Sequence, residues 1–483
     1  MRGWDAGRVA LAAGAVLQLE PSPGAAEPGP SGVTIDSRGT VAQRLFVGLA
    51  GERVDGGAFA VQALQAGAWG VLVAPEHADA AVGARTGGGV LVHDDPLSGL
   101  QALAAAWRLQ LGAAGAKVVA ITGSSGKTST KDILAALLGG EPRVAASPAN
   151  FNTEIGLPLA ILGAPAGTEV LVLEMAMRGA GQIGELTAIA AADVGVIVNV
   201  GPAHLELLGS LQAIAAAKAE LIAGLAPGAS IVLPASEPLL VPHLRADLNT
   251  ITFGDGGDVC LLERGADGRT RIGDRGEEIE LWPSFEQAHN LRNLLAAVAV
   301  ARVLGRTPEG RLEVRFSAMR GERIALPGGA VLIDDCYNAN PMSMRAAIDD
   351  LAETAPGRRV AVLGDMLELG PEAVRLHREI GAHASARGVG LLVTVGALAA
   401  EMDREFAAEA HAVADAPAAV ELLERVLREG DTVLVKGSRG VGLEQVAATL
   451  RVDRRQASRE HAGDGPLLAC ARQGAPGAGS GRL

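Results

Sequence analysis

The residues from 117 to 138, KVVAITGSSGKTSTKDILAALL, place a glycine turn, a lysine and a threonine between an apolar run and a helical pattern. Gly123 and Gly126 allow the backbone to turn sharply and aim N–H groups at an anion, where a helix N-terminus adds partial positive charge. In such loops the lysine, here Lys127, reaches the β- and γ-phosphates of a nucleotide, and the next hydroxyl, here Thr128, binds Mg²⁺. The spacing is shorter than the usual G-x-x-x-x-G-K-[ST], because position 121 is Ile. The order of the parts still predicts a phosphate site rather than a chance glycine loop before a surface helix.

Two further polar residues stand at the ends of predicted strands. Glu174 ends the apolar run EVLVLE, and a carboxylate at a strand tip beside a phosphate loop is well placed to hold Mg²⁺. His204 follows the run VIVNV, where Gly201 and Pro202 would end the strand and present the imidazole. An ordinary strand-end acid and a structural, hydrogen-bonding histidine remain open alternatives for these two residues.

Lys218 lies in the helical run LQAIAAAKAELIAGL, with apolar residues three to four positions away. From the residues alone, a solvated helix lysine is the ordinary expectation. A functional role would need a desolvated amine with a lowered pKa, because only the neutral amine reacts with carbon dioxide to give a carbamate. Such a carbamate would supply an anionic oxygen ligand for a second Mg²⁺.

Length and composition favour a small-molecule enzyme of several domains. The 483 residues predict about three domains on length alone. The formal net charge of −13 argues against a general nucleic-acid or anionic-membrane surface, so an anionic substrate must be met by local Arg and Lys clusters. The cysteines, Cys260, Cys336 and Cys470, lie far apart, which argues against a disulfide framework and fits a reducing cytoplasm. We find no run of about 18 uncharged apolar residues that could span a membrane.

The pattern of apolar runs predicts an α/β fold in three segments and a tail. Residues 1–115 are predicted to form a small α/β domain, in which Asp36, Ser37 and Arg38 at a strand end could hold a diphosphate or ribose, although a solvated turn is the commoner case. Residues 116–320 alternate strand and helix patterns, which indicates a mostly parallel sheet covered on both faces, interrupted by a hairpin excursion at 255–280. Residues 321–452 predict a second doubly wound sheet, and residues 453–483 a disordered tail.

Taken together, these stretches resemble the Mur ligases, the ATP-dependent amide-bond ligases of peptidoglycan precursor synthesis. TGSSGKTST at 122–130 is similar to the family's modified phosphate loop, and LEMAMRGAGQIGEL, NVGPAHLELLGS, AAAKAEL and HNLRNLLAAVAVA follow in the family's order. DDCYNANPMSM, LGDMLELG and VKGSRGVGLE resemble the branch that adds D-alanyl-D-alanine to UDP-N-acetylmuramoyl-tripeptide. The resemblance covers roughly residues 31–450 and implies a central ATPase domain between a small N-terminal UDP-sugar domain and a C-terminal Rossmann-like domain.

The resemblance also implies roles for individual residues and the use of ATP and Mg²⁺. Catalysis would depend on Lys127, His204 and Lys218, the metal ligands would be Thr128, Glu174, His204 and a carbamylated Lys218, and ATP would contact Gly123, Ser124, Ser125, Gly126, Lys127, Thr128, Ser129, Asn293, Arg320 and Asp335. Of the last three residues, Asn293 would lie nearest the adenine, Arg320 at the hinge between the second and third domains, and Asp335 toward the ribose.

For the substrates, the resemblance assigns Asp36, Ser37 and Arg38 to the uridine diphosphate and Asn338 to a segment that closes on the ATP. Lys436, Ser438 and Arg439 are predicted near the dipeptide, although a plain helix-start loop is equally consistent with them. We expect a cytoplasmic monomer that binds no nucleic acid and no membrane. A nucleotide-switch GTPase is disfavoured because the sequence has no N-K-x-D motif. Amino-acid-adding relatives, folylpolyglutamate synthase and a catalytically dead binding protein remain alternatives.

Overall fold

The computed structural model describes residues 1, 3–20, 29–84, 88–140, 143–148 and 150–451. Within these residues the strands form three sheets, here called the N-terminal, central and C-terminal sheets, and the predicted α/β class is confirmed. The predicted tail at 453–483 lies outside the described residues. None of the helices in the described ranges has the length and apolar character needed to cross a bilayer.

The N-terminal sheet has the strand order β1-β5-β4-β3-β2, with β1 antiparallel to β5 and the other pairs parallel. The predicted strand GVTIDSRG is shorter than expected, because Thr34 Oγ1 accepts a hydrogen bond from the Asp36 N–H (3.2 Å) and turns the chain. Its elements are α1 (Ala6–Ala13), β1 (Val16–Leu19), β2 (Val33–Thr34), β3 (Leu45–Val47), α2 (Ala60–Gln65), β4 (Gly70–Val73), α3 (Pro75–Gly83), β5 (Gly89–Val92) and α4 (Pro96–Ala113).

The central sheet has the order β15-β14-β13-β12-β11-β10-β9-β6-β8-β7. It is parallel from β7 to β12 and antiparallel at β12-β13-β14, which confirms the predicted hairpin excursion. Its elements are β6 (Lys117–Thr122), α5 (Lys127–Leu137), β7 (Val144–Ala146), α6 (Gly156–Gly163), β8 (Val170–Glu174), α7 (Gln182–Ala190), β9 (Val194–Ile197), α8 (Leu205–Leu208), α9 (Leu211–Gly224), β10 (Ser230–Pro234), β11 (Asn249–Phe253), β12 (Val259–Arg264), β13 (Thr270–Asp274), β14 (Glu277–Pro283), α10 (Ala288–Val303) and β15 (Gly310–Leu312).

Strand β6 shows why the central sheet needs helices on both faces. Val118 and Ala120 belong to one buried cluster and Val119 and Ile121 to another, as expected for side chains that alternate across a strand. The first cluster continues through α4 into the N-terminal sheet, and the second lies under α5 and α10. The nucleotide loop after β6 is therefore anchored between two cores.

The C-terminal sheet has the order β16-β17-β21-β18-β19-β20, with β16 antiparallel and the other pairs parallel, as the predicted doubly wound sheet requires. The three sheets span residues 16–92, 117–312 and 322–436, while the domain boundaries at 115, 320 and 452 remain a prediction. The elements are β16 (Glu322–Ala325), β17 (Val331–Asp334), α11 (Pro341–Thr354), β18 (Arg359–Gly364), α12 (Ala373–Ala386), β19 (Leu391–Val395), β20 (Glu409–Val413), α13 (Ala416–Val426), β21 (Thr432–Lys436) and α14 (Glu444–Leu450).

A buried histidine on α12 fixes the segment that follows β18. His377 Nε2 accepts a hydrogen bond from the Met366 N–H (2.9 Å), and Nδ1 donates to the Ala373 carbonyl (2.7 Å). Burial lowers the pKa of His377 below its usual 6.5, and the Ala373 bond opposes that shift. As the pH falls, His377 is therefore protonated in the unfolded chain before it is protonated in the folded protein. Its contribution to stability is lost as the pH falls below about 6.5 and through the lowered pKa.

We therefore expect His377→Leu to cost about 1–3 kcal/mol at neutral pH, because the Met366 N–H loses its acceptor. The same variant should lose less further stability than the wild type when the pH is lowered from about 6.5 to 5. Urea unfolding across this pH range measures both effects, with the more exposed His411→Gln as the control. An unchanged pH dependence in His377→Leu would contradict the prediction.

Candidate active site

The phosphate loop runs from Gly123 to the start of α5 at Lys127. Lys127 Nζ donates to the Gly123 carbonyl (2.8 Å), and burial lowers the pKa of Lys127 although the nearby Glu174 carboxylate opposes this shift. The first N–H groups of α5, those of Lys127, Thr128 and Ser129, have no acceptor within the helix and are available to an anion. The Lys127 ammonium group and these free N–H groups all lie at the N-terminal end of α5, which is the arrangement that binds a phosphate.

Asn199, just after β9, holds the loop in shape. Its Oδ1 accepts hydrogen bonds from the Ser124 and Ser125 N–H groups (3.0 Å each), and its Nδ2 donates to the Ser125 carbonyl (3.0 Å). The sequence analysis missed this residue. The available signal was its position at the carboxyl end of β9, which pairs with β6.

Gly126, the N-cap of α5, has a φ of 78° and lies directly against Asn293 of α10. A Cβ added at Gly126 would lie 2.7 Å from Asn293 Oδ1, so only glycine allows this approach. Both residues line the same cavity. The structure thus brings the predicted adenine residue to the phosphate loop.

We expect Gly126→Ala to weaken nucleotide binding by about 10-fold or more, since it would push Asn293 away and strain the loop, each at roughly 1 kcal/mol. Gly139, near the other end of α5, is a matched control because its φ of 95° is also positive but nothing lies within 4 Å of an added Cβ. Calorimetric titration with ADP should show the loss in Gly126→Ala and near-normal binding in Gly139→Ala. Equal affinities in the two variants would disprove this role of the contact.

Glu174, at the end of β8, is only 2% exposed and meets the hydroxyl of Thr128. Its Oε2 accepts from Thr128 Oγ1 (2.8 Å), its Oε1 accepts from Asn152 Nδ2 (2.9 Å), and its own N–H donates to Ser147 Oγ (3.1 Å). A carboxylate and a hydroxyl side by side are hard oxygen donors of the kind that Mg²⁺ prefers. These two predicted metal ligands therefore lie together and fit a magnesium ion.

Lys218 on α9 is 2% exposed, so the ordinary expectation of a solvated lysine is wrong. The apolar neighbours Ile214, Leu221 and Ile222 are all fully buried, and the helix carries the amine into the protein with them. Burial, followed by the positive charge of Lys127, lowers the pKa of Lys218 well below its usual 10.5. A neutral amine suits the predicted reaction with carbon dioxide.

His204 precedes α8 and has a left-handed backbone with a φ of 59°. Its Nδ1 is hydrogen-bonded to Glu368 Oε2 of the C-terminal sheet. Burial lowers the pKa of His204, Glu368 opposes the shift, and the charges of Lys127 and Lys218 add to it. The charges of both lysines thus act on the imidazole, as expected if the three residues share a metal site. Glu368 was not among the predicted site residues.

Residues between the central and C-terminal sheets, and residues that follow β17, reach the phosphate loop. An Arg320 terminal nitrogen donates to Thr128 Oγ1 (3.2 Å), and its guanidinium lies 4.1 Å from the ring centroid of Tyr337. Asn340 Nδ2 donates to the Ser124 carbonyl (3.0 Å). A cavity of about 1500 Å³ lies between the two sheets, and the predicted residues that line it are Ser125, Gly126, Ser129, Asn293, Arg320, Asp335 and Lys436.

Lys436, predicted near the dipeptide, is 2% exposed and bonded to the segment after β17. Its Nζ donates to Asp335 Oδ2 (2.6 Å) and to the Asn338 carbonyl (3.1 Å). Ser438 is also buried and accepts a hydrogen bond from the Leu367 N–H (2.9 Å) at its Oγ. The described geometry thus gives Lys436 and Ser438 internal partners, and their contact with a dipeptide remains a prediction.

The remaining predicted substrate residues are exposed. The side chain of Arg439 is 56% exposed and lies 3.7 Å from Glu444 Oε1. In the N-terminal sheet region, Arg38 forms an ion pair with Asp36 at 2.9 Å, and this bond lowers the pKa of Asp36. The assignment of Asp36, Ser37 and Arg38 to the uridine diphosphate also remains a prediction.

A phosphate loop at the carboxyl end of a parallel sheet, with a buried acid and a hinge arginine at its helix, defines a P-loop enzyme of the nucleotide-using class. The chain belongs to the Mur ligase family. Residues 30–108 match the model "Mur ligase family, catalytic domain", residues 121–301 "Mur ligase middle domain", and residues 319–439 "Mur ligase, glutamate ligase domain".

Similar proteins of known name belong to one branch of that family. The chain is 37% identical to the UDP-N-acetylmuramoyl-tripeptide--D-alanyl-D-alanine ligase of Bacillus subtilis over 87% of this chain and 93% of that protein. It is 31% identical to the enzyme of the same name from Escherichia coli, over 87% and 93%. Among solved structures, MurF from Acinetobacter baumannii matches with a TM-score of 0.81 at 27% identity, over 93% of this chain and 98% of that one. MurF from Thermotoga maritima in complex with ADP matches with a TM-score of 0.75 at 30% identity, over 88% and 98%.

Proposed function

We propose that this chain is an ATP-dependent ligase that joins D-alanyl-D-alanine to UDP-N-acetylmuramoyl-tripeptide and forms UDP-N-acetylmuramoyl-pentapeptide, ADP and phosphate. The observation that carries the proposal is the hydrogen-bonded Thr128–Glu174 pair at the start of α5, where the charge of the same carboxylate acts on the loop lysine, Lys127. The ligases of this name that match most of the chain support the choice of substrates.

The first chemical task is to activate a carboxylate, which is a poor electrophile. In the proposed reaction the terminal carboxylate of the tripeptide attacks the γ-phosphorus of ATP, the bond to the β-phosphate oxygen breaks, and an acyl phosphate and ADP form. Lys127 and the N–H groups at the start of α5 would stabilise the negative charge on the transferring phosphoryl group. Arg320, which contacts Thr128, brings a further positive charge to this place.

Thr128, Glu174, His204 and a carbamylated Lys218 would hold Mg²⁺. When bound, such metal ions neutralise charge on the phosphates and on the oxygens that react. Two observations support this set of metal ligands. Thr128 and Glu174 are in contact at 2.8 Å, and the charge of Lys218 acts on His204. Asn152 holds the other oxygen of the Glu174 carboxylate, and Ser147 holds the backbone N–H of Glu174.

The second task is capture of the acyl phosphate by an amine before water reaches it. The α-amino group of D-alanyl-D-alanine has a pKa near about 8, so only a mild base is needed to expose its lone pair. The amine attacks the acyl carbon, the bond from that carbon to the phosphate oxygen breaks, and the proton lost by the nitrogen passes to the departing phosphate or to water. Asn340 on the Ser124 carbonyl and Met342 packed on Gly201 close the C-terminal sheet over the loop, which would exclude water.

The finer assignments belong to the same proposal. Asn293, Arg320 and Asp335 would hold the nucleotide, Asp36, Ser37 and Arg38 the uridine diphosphate, and Asn338, Lys436, Ser438 and Arg439 would position the closing segment and the dipeptide. Because one chain supplies all of these groups, a monomer would suffice. The use of ATP and the cysteine pattern favour the cytoplasm.

Phosphate release from ATP in the presence of UDP-N-acetylmuramoyl-tripeptide tests the function. We expect turnover with D-alanyl-D-alanine and little or none with D-alanine, L-glutamate or diaminopimelate as the acceptor. Mass spectrometry of the pentapeptide confirms that release is coupled to ligation. Turnover with single amino acids alone would reject the branch, and saturable substrate binding without turnover would favour a catalytically dead binding protein.

A further inference from the structure

One contact between the central and C-terminal sheets falls on a predicted metal ligand. His204 stands between β9 and α8, and Glu368 stands between β18 and α12. The imidazole Nδ1 is hydrogen-bonded to Glu368 Oε2, and the Glu206 N–H donates to the Glu368 carbonyl (3.0 Å). Leu205, next to His204, packs on the apolar core of the C-terminal sheet. Both the side chain and the backbone of Glu368 therefore bind the segment that carries His204.

We propose that Glu368 is a positioning residue: its carboxylate crosses between the two sheets, fixes the imidazole of His204, and leaves Nε2 as the nitrogen offered to a divalent cation. This inference rests on the proposed function in taking His204 as a metal ligand. Its consequence is that the metal site is complete only when the C-terminal sheet is docked on the central sheet.

The chemistry of the contact determines which nitrogen is free. An ionised carboxylate only accepts hydrogen bonds, so Nδ1 must carry the proton that Glu368 receives. In a neutral ring Nε2 then carries the lone pair. In a metal-binding histidine, the ring nitrogen that does not bind the metal is usually hydrogen-bonded to a carboxylate. This bond fixes the tautomer and ring orientation and raises the basicity of the ligand.

The backbone on both sides of the contact is unusual. His204 has a φ of 59° and Glu368 a φ of 61°, and neither is a glycine. Left-handed conformations of such residues persist only where the surrounding structure holds them, and they are concentrated at functional sites. Here the two strained residues bind each other, so each sheet holds its half of the contact in an unfavourable conformation.

The segment that carries Glu368 is itself well supported. The Met366 N–H donates to His377, and the Leu367 N–H donates to Ser438 Oγ (2.9 Å). On the central side, Arg178 lies 3.4 Å from Glu368 Oε1. The hydrogen bonds of the segment after β18 thus direct the Glu368 carboxylate toward His204, and Arg178 contacts the same carboxylate from the central side. This support separates Glu368 from an ordinary surface acid.

The test compares Glu368→Ala and Glu368→Gln with the wild type, and uses Glu372→Gln as a matched control. Glu372 lies four residues further on, but its carboxylate pairs with Arg375 of the adjacent helix α12. The first readout needs no metal: ¹⁵N-histidine NMR of the metal-free protein, with the His204 signals assigned by their loss in His204→Asn. We expect the Nδ1-protonated form in the wild type and in Glu372→Gln, a mixture with the Nε2-protonated form in Glu368→Ala, and an intermediate result in Glu368→Gln, whose amide oxygen can still accept.

The second readout is Mn²⁺ binding in the presence of ADP, followed by electron paramagnetic resonance. Loss of the carboxylate that is hydrogen-bonded to a metal-binding histidine typically weakens metal binding about 10–100-fold, and we expect that range for Glu368→Ala. Affinity for ADP without metal should stay near that of the wild type, which shows that the variant is folded. An unchanged tautomer and an unchanged Mn²⁺ affinity in Glu368→Ala would overturn the positioning role alone. A wild-type protein that binds no Mn²⁺ with ADP would overturn the metal assignment and this inference together.

Discussion

Lys127→Met is expected to lower the turnover number for ligation by about 10³-fold or more, since cationic groups at a transferring phosphoryl are worth this much in related chemistry. The ammonium group lies at the N-terminus of α5, bonded to the Gly123 carbonyl and close to Glu174. Methionine keeps the length of the side chain but cannot neutralise the phosphates. Coupled measurement of ADP formation under saturating substrates gives the turnover number directly.

Lys117→Met is the matched control for this variant. Lys117 begins β6, ten residues earlier on the chain, where it forms an ion pair with Asp193 (3.0 Å) and its side chain is 58% exposed. We expect nearly normal turnover, because an exposed pair of this kind contributes little to stability. Full activity in a folded Lys127→Met protein would remove the basis of the proposed mechanism.

The parts of the site that could be predicted from the sequence depend on short stretches of chain. The loop from Gly123 to Thr128 has its strand, glycines, lysine and helix within a few turns, so local rules suffice to place it. The hairpin excursion was equally visible, because glycines and charges interrupt the alternation of strands and helices.

The missed residues act across long separations in sequence. Asn199 binds a loop 74 and 75 residues away, and Asn340 reaches Ser124 from 216 residues away. Glu368 meets His204 over a separation of 164 residues. Asn199 could be suspected only from its position at the carboxyl end of β9, and the local pattern does not distinguish Asn340 or Glu368 from ordinary loop side chains. The pairing of β9 with β6 brings Asn199 to the loop, whereas the packing of the C-terminal sheet on the central sheet brings Asn340 to the loop and Glu368 to His204.

For Lys218 the local sequence pattern gave a wrong prediction, because it indicated a solvated side chain and the side chain is buried. Its helix is rich in alanine and apolar on several faces, so the sequence does not reveal which face is buried. The helix packs on the central sheet with the lysine on the inside, where the charge of Lys127 also acts on it. Family resemblance assigned the residue a role, whereas helical periodicity alone would have placed it in solvent.

The charges of the half-buried Lys127 and the buried Lys218 lead to the second large effect. Two cations that act on each other inside a protein are unfavourable, and the pKa of Lys218 is accordingly lowered well below 10.5. A carbamate on Lys218 would replace one positive charge by a negative one and turn repulsion into attraction. Lys218→Met should therefore lose about 10²–10³-fold in turnover, if the carbamate supplies the anionic oxygen that the site lacks.

The stability of the uncarbamylated protein, measured in bicarbonate-free buffer, should change in the other direction. Because the pKa of Lys218 is lower in the folded protein, the unfolded chain holds its proton more tightly, and the lysine reduces stability at every pH below about 10.5. Methionine fills a similar volume without this cost, so the midpoint of thermal unfolding should stay the same or rise while activity falls. A ¹³C carbamate signal from labelled bicarbonate, present in the wild type and absent from Lys218→Met, identifies the modification itself. Loss of stability in bicarbonate-free buffer, in parallel with the loss of activity, would instead make Lys218 a structural residue.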